Sequence, residues 1–164
     1  MSSPAGTDDG LRLRVATTAD ADAIAALVAA FRDFLAQAEP ADAAVRTRLP
    51  QLLADPATEF LLAEGAAGAA VGYLQIRFRA SLWYGADAEV EDLYVAGAAR
   101  AAGVGRQLFA FAVERARARG CRHLGLTTNE RNQAAQALYA SFGLDARRAR
   151  WDGGRQIWLD RDLE

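Results

Sequence analysis

The chain has 164 residues, 52% of them apolar and 24% charged, and carries a formal net charge of -2. That length suits one domain with a proper core, and the slightly acidic balance argues against a nucleic-acid binder held mainly by phosphate contacts. No apolar run approaches the ~20 residues of a membrane span, and Met1 to Gly10 lacks the basic-then-apolar order of a signal peptide, so the expectation is a cytoplasmic protein with a flexible tail over 1–10 and a single domain over 11–164.

Leu11 to Ala16 alternates apolar and polar residues and predicts a strand. Thr17 or Thr18 can cap a following helix in which Ile24, Leu27, Val28, Phe31 and Leu35 share one face. After Glu39-Pro40 a weaker helix is expected to about Leu53, unless Pro50 ends it sooner. Phe60 to Glu64 and Ala70 to Phe78 predict two strands joined through Gly65 to Gly68. Glu89 to Val95 predicts another, and the small-residue loop Gly97 to Gly105 leads into a helix with Val104, Leu108 and Phe111 in register. Gly120 marks that helix's end. A short strand follows over His123 to Thr128. Asn132 then opens a helix with Ala135, Leu138, Tyr139 and Phe142 on one stripe, closed by Gly143. Two last strands are expected around Ala146 to Trp151 and Arg155 to Leu159, turning at Asp152-Gly153-Gly154. The order is β-α-α-β-β-β-α-β-α-β-β, a mixed sheet covered by helices.

What the sequence lacks narrows its chemistry. It has no lysine, one cysteine (Cys121) and one histidine (His123). A Walker lysine, a Schiff-base lysine, a disulfide and a cysteine-based zinc site are excluded, and a nucleophilic triad would have to rest on His123 alone. Carboxylates, tyrosines, arginines and backbone amides remain, and no metal is expected.

The strongest local pattern is Val90-Glu91-Asp92-Leu93-Tyr94-Val95 followed by Arg100-Ala101-Ala102-Gly103-Val104-Gly105-Arg106. A strand enters a glycine-containing turn that opens a helix, where unpaired amides and the helix dipole favour an anion. Gly103 and Gly105 let a phosphate approach, while Arg100 and Arg106 add charge and donors. A dinucleotide fingerprint fails because Leu108 holds the place of its third glycine. The second pattern runs from Asn132 through Ala135, Leu138 and Tyr139 to Gly143. Taken alone, these would be a helix cap and a core stripe.

In this order the two segments resemble the GNAT superfamily of acetyl-CoA-dependent N-acetyltransferases. Arg100 to Gly105 matches the family's pyrophosphate pattern Q/R-x-x-G-x-G/A. Asn132, Ala135, Leu138, Tyr139 and Gly143 match N-x-x-A-x-x-L-Y-x-x-x-G-F, with Leu144 in place of the final phenylalanine. The resemblance covers nearly the whole chain. It implies an α/β (α+β) GNAT fold, with a mixed, mostly antiparallel sheet of about seven strands and about four helices.

The resemblance also implies residue roles. A bulge in the strand before the loop would free amides at Leu93, Tyr94 and Val95 for coenzyme A, with Val95 polarising the thioester carbonyl. Amides from Ala101 to Arg106, including Ala102, Gly103, Val104 and Gly105, would hold the pyrophosphate, with Arg100 beside them. Asn132 and Ala135 would lie on the pantetheine side, and Tyr139 would protonate the departing thiolate. Glu91 is the candidate base for the acceptor amine, since a Glu-Asp pair stands here in the diamine acetyltransferase branch. Asp87, Glu89, Glu91 and Asp92 also fit a plain solvated strand end. The expected partner is a small-molecule cationic amine such as a polyamine, an amino-acid-like amine or an aminoglycoside, and many family members are homodimers. The alternative is a non-catalytic acyl-CoA-sensing domain.

Other residues carry plainer expectations. Cys121 is expected in the core and His123 at the surface or in an edge hydrogen bond. Trp83, Tyr84, Phe31 and Phe34 are expected to pack, although each could border an amine pocket. Arg147, Arg148 and Arg150 fit a solvated strand face.

Overall fold

The computed structural model describes residues 10–145. The two strands expected beyond Ala146, and Arg147, Arg148 and Arg150, lie outside the described residues, as does most of the expected tail. The chain divides between Thr127 and Thr128 into two compact units.

The first unit is built on a five-stranded sheet in the order β1 (Arg12–Val15), β2 (Thr58–Glu64), β3 (Ala70–Ser81), β4 (Gly85–Val95) and β5 (His123–Leu126). Five strands stand among the described residues where about seven were expected for the whole chain. Neighbours pair antiparallel except β4 with β5, which pair in parallel. Central β2 is buried from Thr58 to Ala63, as a strand covered on both faces must be.

Two helices lie on one face. Helix α1 (Ala21–Phe34) follows a single turn of 3-10 helix at Thr18–Asp20, where Thr17 N donates to Asp20 Oδ2 at 2.7 Å. Its expected stripe holds at Ile24 and Leu27, which are buried, while Val28 and Phe31 pack against the same cluster and Leu35 emerges into solvent. Helix α2 (Asp42–Ala54) runs straight through Pro50. The proline removes one backbone bond, but burial of Val45 and Leu49 and packing of Leu52 and Leu53 hold the turn that follows. The α1 and α2 side chains join Phe60, Leu62, Tyr73 and Tyr94 in one core cluster.

Helix α3 (Val104–Ala118) covers the opposite face. Its buried row is Val104, Leu108, Phe109, Ala112 and Ala116. Phe111 was expected in that row, but Phe109 fills it and Phe111 is only half-buried. Near its end Arg115 and Arg119 both reach back to Glu59 on β2, with Nε to Oε distances of 2.8 and 3.0 Å. Glu59 is 5% exposed. Burial opposes its ionisation, yet the two guanidiniums outweigh that and hold its carboxyl below the ordinary range.

Hairpin β3–β4 is longer than expected, pairing as far as Ser81 with Gly85. Its tip is held by Ser81 Oγ, which accepts from the amides of Trp83 and Tyr84. Trp83 does not pack as expected: it is 83% exposed at that tip. The second unit contains helix α4 (Gln133–Ala140) among its described residues. No described helix is long and apolar enough to cross a membrane.

Candidate active site

The β3–β4 register pairs Gly72 with Val95, Tyr73 with Tyr94, Leu74 with Leu93 and Gln75 with Asp92, then resumes at Ile76 with Val90. Glu91 is the extra residue of a β-bulge. Consecutive residues of a regular strand point to opposite faces, but here Glu91 and Asp92 both turn to the α1/α2 face. Tyr73 marks that face through its packing with Ile24, Leu27 and Leu49, and Gln75 and Arg77 follow it at alternate positions. Arg77 Nε lies 3.2 Å from Glu91 Oε1, and the Tyr73 hydroxyl donates to Asp92 Oδ2 at 3.4 Å.

The two carboxylates differ in setting. Glu91 is the more exposed and carries the Arg77 ion pair. Asp92 is pushed above the ordinary aspartate range, chiefly by burial and further by the nearby charge of Glu91, against the lowering effect of the Tyr73 hydrogen bond. Burial and the Asp92 charge together keep the Tyr73 phenol protonated.

The edge of β4 is set by the same ladder. Ala96 N donates to Val71 O at 2.9 Å. Hydrogen-bonded pairs alternate with non-bonded ones in an antiparallel ladder, so the backbone groups of Leu93 and Val95 point away from β3. The β5 ladder covers only Asp87 to Val90 and stops before them. In keeping with this outward direction, Val95 O accepts from Arg100 Nε at 2.9 Å. The Arg100 guanidinium lies over the Phe34 ring at 4.1 Å and 5.5 Å from the Tyr94 centroid. Phe31 stacks against Tyr94 at 5.2 Å, while Phe34, also expected to pack, stays 59% exposed.

Gly72 has a steric reason to be glycine. A Cβ there would stand 2.9 Å from Tyr94 O and 3.3 Å from side-chain atoms of Leu108 and Val95. Gly72→Ala is expected to destabilise the chain by about 1–3 kcal/mol, read as a lowered midpoint in urea with an unchanged slope.

Beyond Val95 the chain makes a 3-10 run at Gly97–Ala102 and turns at Gly103 (φ 72°) into α3. A Cβ on Gly103 would meet nothing within 4 Å, so the left-handed backbone, not crowding, selects glycine. The start of α3 has no side-chain cap and no acidic residue in its first turn, whereas α1 and α2 carry Asp22 and Asp42 there. The first-turn amides at Val104, Gly105 and Arg106 therefore meet no competing carboxylate of their own helix, a setting that suits an anion.

In the second unit, Asn132 Oδ1 caps α4 by accepting from Ala135 N at 3.1 Å. Tyr139 is half-buried, and burial raises its phenol above the ordinary value.

At the far end of β4, Asp87 is 1% exposed and not a solvated strand end. It accepts from Arg79 Nε at 2.7 Å and stands 2.7 Å from His123 Nδ1, while Tyr84 stacks on the His123 ring at 4.0 Å. Burial opposes its ionisation, but Arg79 and His123 prevail and lower its pKa. Cys121, expected in the core, is only half-buried.

Tyr73 and Gln75 were not singled out from the sequence. The available signal was the row Tyr73, Gln75, Arg77, three residues with polar ends at every second position of a strand otherwise apolar at its centre.

The site is a bulged strand with carboxylates on one face, running into a helix N-terminus that carries no acidic residue in its first turn, within an α/β domain. The sequence model of the acetyltransferase (GNAT) family matches residues 24–144, and the chain belongs to that family. A putative acetyltransferase from Arthrobacter sp. FB24 superposes with a TM-score of 0.79 at 26% identity, covering 99% of each chain. The ribosomal-protein-alanine N-acetyltransferase of Brucella melitensis biovar Abortus 2308 shares the fold at 22% identity and a TM-score of 0.70, covering 93% of this chain and 99% of that one. An aminoglycoside acetyltransferase from an uncultured soil metagenomic sample does so at 15% identity and 0.77, covering 97% and 100%. No curated protein matches the chain in sequence.

Proposed function

We propose that the chain moves the acetyl group of acetyl-CoA to a primary amine of a small cationic acceptor by direct attack. The bulge at Glu91 carries this reading. It supports two carboxylates on one face of β4 while the Leu93 and Val95 amides point outward along the strand that enters the anion-suited loop.

In this reaction the amides from Ala101 to Arg106 hold the pyrophosphate. The Val95 amide donates to the thioester oxygen as negative charge develops there. An alkylammonium titrates near ~10.4 and must lose a proton before its lone pair attacks the carbonyl carbon. Glu91 takes that proton, directly or through a water. As the carbon–sulfur bond breaks, Tyr139 protonates the thiolate, and its raised pKa keeps the phenol loaded for that step. Arg100 holds Val95 O through Nε, and its remaining guanidinium N–H groups add charge and donors beside the pyrophosphate.

Two measurements test the reading. Acetyl-CoA at ~100 times its dissociation constant is expected to add about 2.7 kcal/mol of stability, and thiol release should follow when an amine panel is added. Absence of a thermal shift overturns coenzyme binding; a shift with no thiol release on any amine favours an acyl-CoA sensor. Tyr139→Phe is expected to lower kcat about 10-fold with coenzyme binding retained, because phenol and thiol differ by only about 1.5 pKa units and the thiolate is itself a fair leaving group. An unchanged kcat assigns the proton to another donor.

A further inference from the structure

Phe34 is the last residue of α1, yet it stays 59% exposed and is absent from the core cluster that α1 builds with α2. A phenyl ring left mostly in water contributes little to folding through burial. What the ring does meet is charged. The Arg100 guanidinium lies over it at 4.1 Å, and the Tyr94 ring stands 6.4 Å away. No described carboxylate pairs with Arg100; its described partners are the two rings and the carbonyl of Val95.

An arginine side chain is long and has much rotamer freedom to lose, so a carbonyl alone fixes it poorly. A ring beneath the guanidinium adds a second, independent restraint and leaves the in-plane N–H groups able to donate. Arg100 has both, since Nε donates to Val95 O at 2.9 Å. The peptide between Val95 and Ala96 is thereby held on two sides, because Ala96 N donates to Val71 O at 2.9 Å. A planar peptide held at both polar groups resists tilting. In an antiparallel strand the N–H and C=O of one residue point the same way. Holding Val95 O therefore also sets the direction of the Val95 N–H.

We infer that Phe34 is a positioning residue: its ring holds the Arg100 guanidinium against Val95 O and so aims the Val95 amide at the thioester carbonyl. This rests on the transferase reading above and adds to it a residue of α1, outside both the bulged strand and the loop. The π face is the part that matters. An aliphatic side chain of similar bulk fills the same space but offers a cation no attraction.

The test first reads amide hydrogen exchange over Val95 to Gly97 in the coenzyme-free protein. Phe34→Leu should speed it about 3-fold, the worth of a partly exposed cation–π contact. Phe34→Tyr keeps the ring and should exchange like the wild type. Arg100→Ala should speed exchange further, and adding Phe34→Leu to it should change nothing more. Unchanged exchange in Phe34→Leu, or effects of the two substitutions that simply add, overturns the inference. Infrared spectra of bound acetyl-CoA, isotope-labelled at the thioester carbonyl carbon, then read the aim of the Val95 amide. Binding to the wild type should move the carbonyl band to lower frequency, and Phe34→Leu should lose part of that shift with the coenzyme still bound. A merely structural side chain would leave the band alone, so a full shift in Phe34→Leu overturns the positioning role. No shift in the wild type removes the Val95 donor and the inference with it. Failure of acetyl-CoA to bind at all overturns the transferase reading instead, and the exchange rates still decide whether Phe34 holds Arg100.

Discussion

Glu91→Gln is expected to cut kcat by about 10²-fold or more while the stabilisation by acetyl-CoA stays unchanged. The glutamine is nearly isosteric but cannot accept a proton from an ammonium. Folding should hardly notice the change. The Arg77–Glu91 pair is partly exposed on both sides, and such pairs contribute about 0–1 kcal/mol. The deficit should be greatest at low pH, where more of the acceptor arrives protonated. Thiol release across a pH series, with thermal unfolding as the control, checks both parts. A kcat within about 3-fold of wild type at every pH would take Glu91 out of the proposed mechanism.

The largest expected effect on stability lies away from the site. Removing Arg115 and Arg119 together, as Arg115→Ala with Arg119→Ala, strands the Glu59 carboxylate at 5% exposure. A buried charge left without its partner costs about 3–5 kcal/mol. For a domain of this size that is on the order of 10 °C in Tm. The pH dependence follows from the sign of the shift. In the wild type the guanidiniums hold Glu59 below its ordinary pKa, so its contribution is present above the unfolded value and lost as pH falls through the folded one. In the double variant only the opposing effect of burial remains, and protonation relieves it. The stability gap between the two proteins should therefore be widest near neutral pH and narrow below about pH 4. A gap independent of pH would mean that lost packing of the arginine stems, not the stranded charge, accounts for the destabilisation.

Much of the scaffold was legible because its signals are local. Apolar spacing and glycine punctuation located β1, β2, α1, α3 and α4 to within a few residues, and the left-handed turns at Gly103, Gly120 and Gly143 fall where helices stop or start. What escaped depends on partners distant in sequence. Helix α2 survives Pro50 through the core that Val45 and Leu49 enter. The first four residues of β4, Gly85 to Ala88, are mostly small and carry no strand pattern; the long hairpin with β3 recruits them. Asp87 looked like a solvated acid until His123 and Arg79 closed over it.

The candidate site divides in the same way. Glu91 and the loop glycines could be picked out by residue type and spacing, with the family resemblance to order them. Gln75 and Tyr73 could not, since their importance comes from lying across the ladder from Asp92 and Tyr94. The bulge was expected from the resemblance, but its place is a property of the pairing. Nothing about Glu91 as a residue type marks it as the extra one.

That one additional residue acts as a change of phase along β4. Before it, odd-numbered residues such as Glu89 share the face of α1 and α2; after it, even-numbered Asp92 and Tyr94 do. Deleting Glu91 would leave an unbroken alternation with Asp92 still opposite Gln75, whereas keeping the residue and flattening the bulge would turn one half of the strand over, exchanging Asp92 and Tyr94 for Leu93 and Val95. Aligning this strand without a gap to one that lacks the extra residue would assign every side chain on one side of it to the wrong layer.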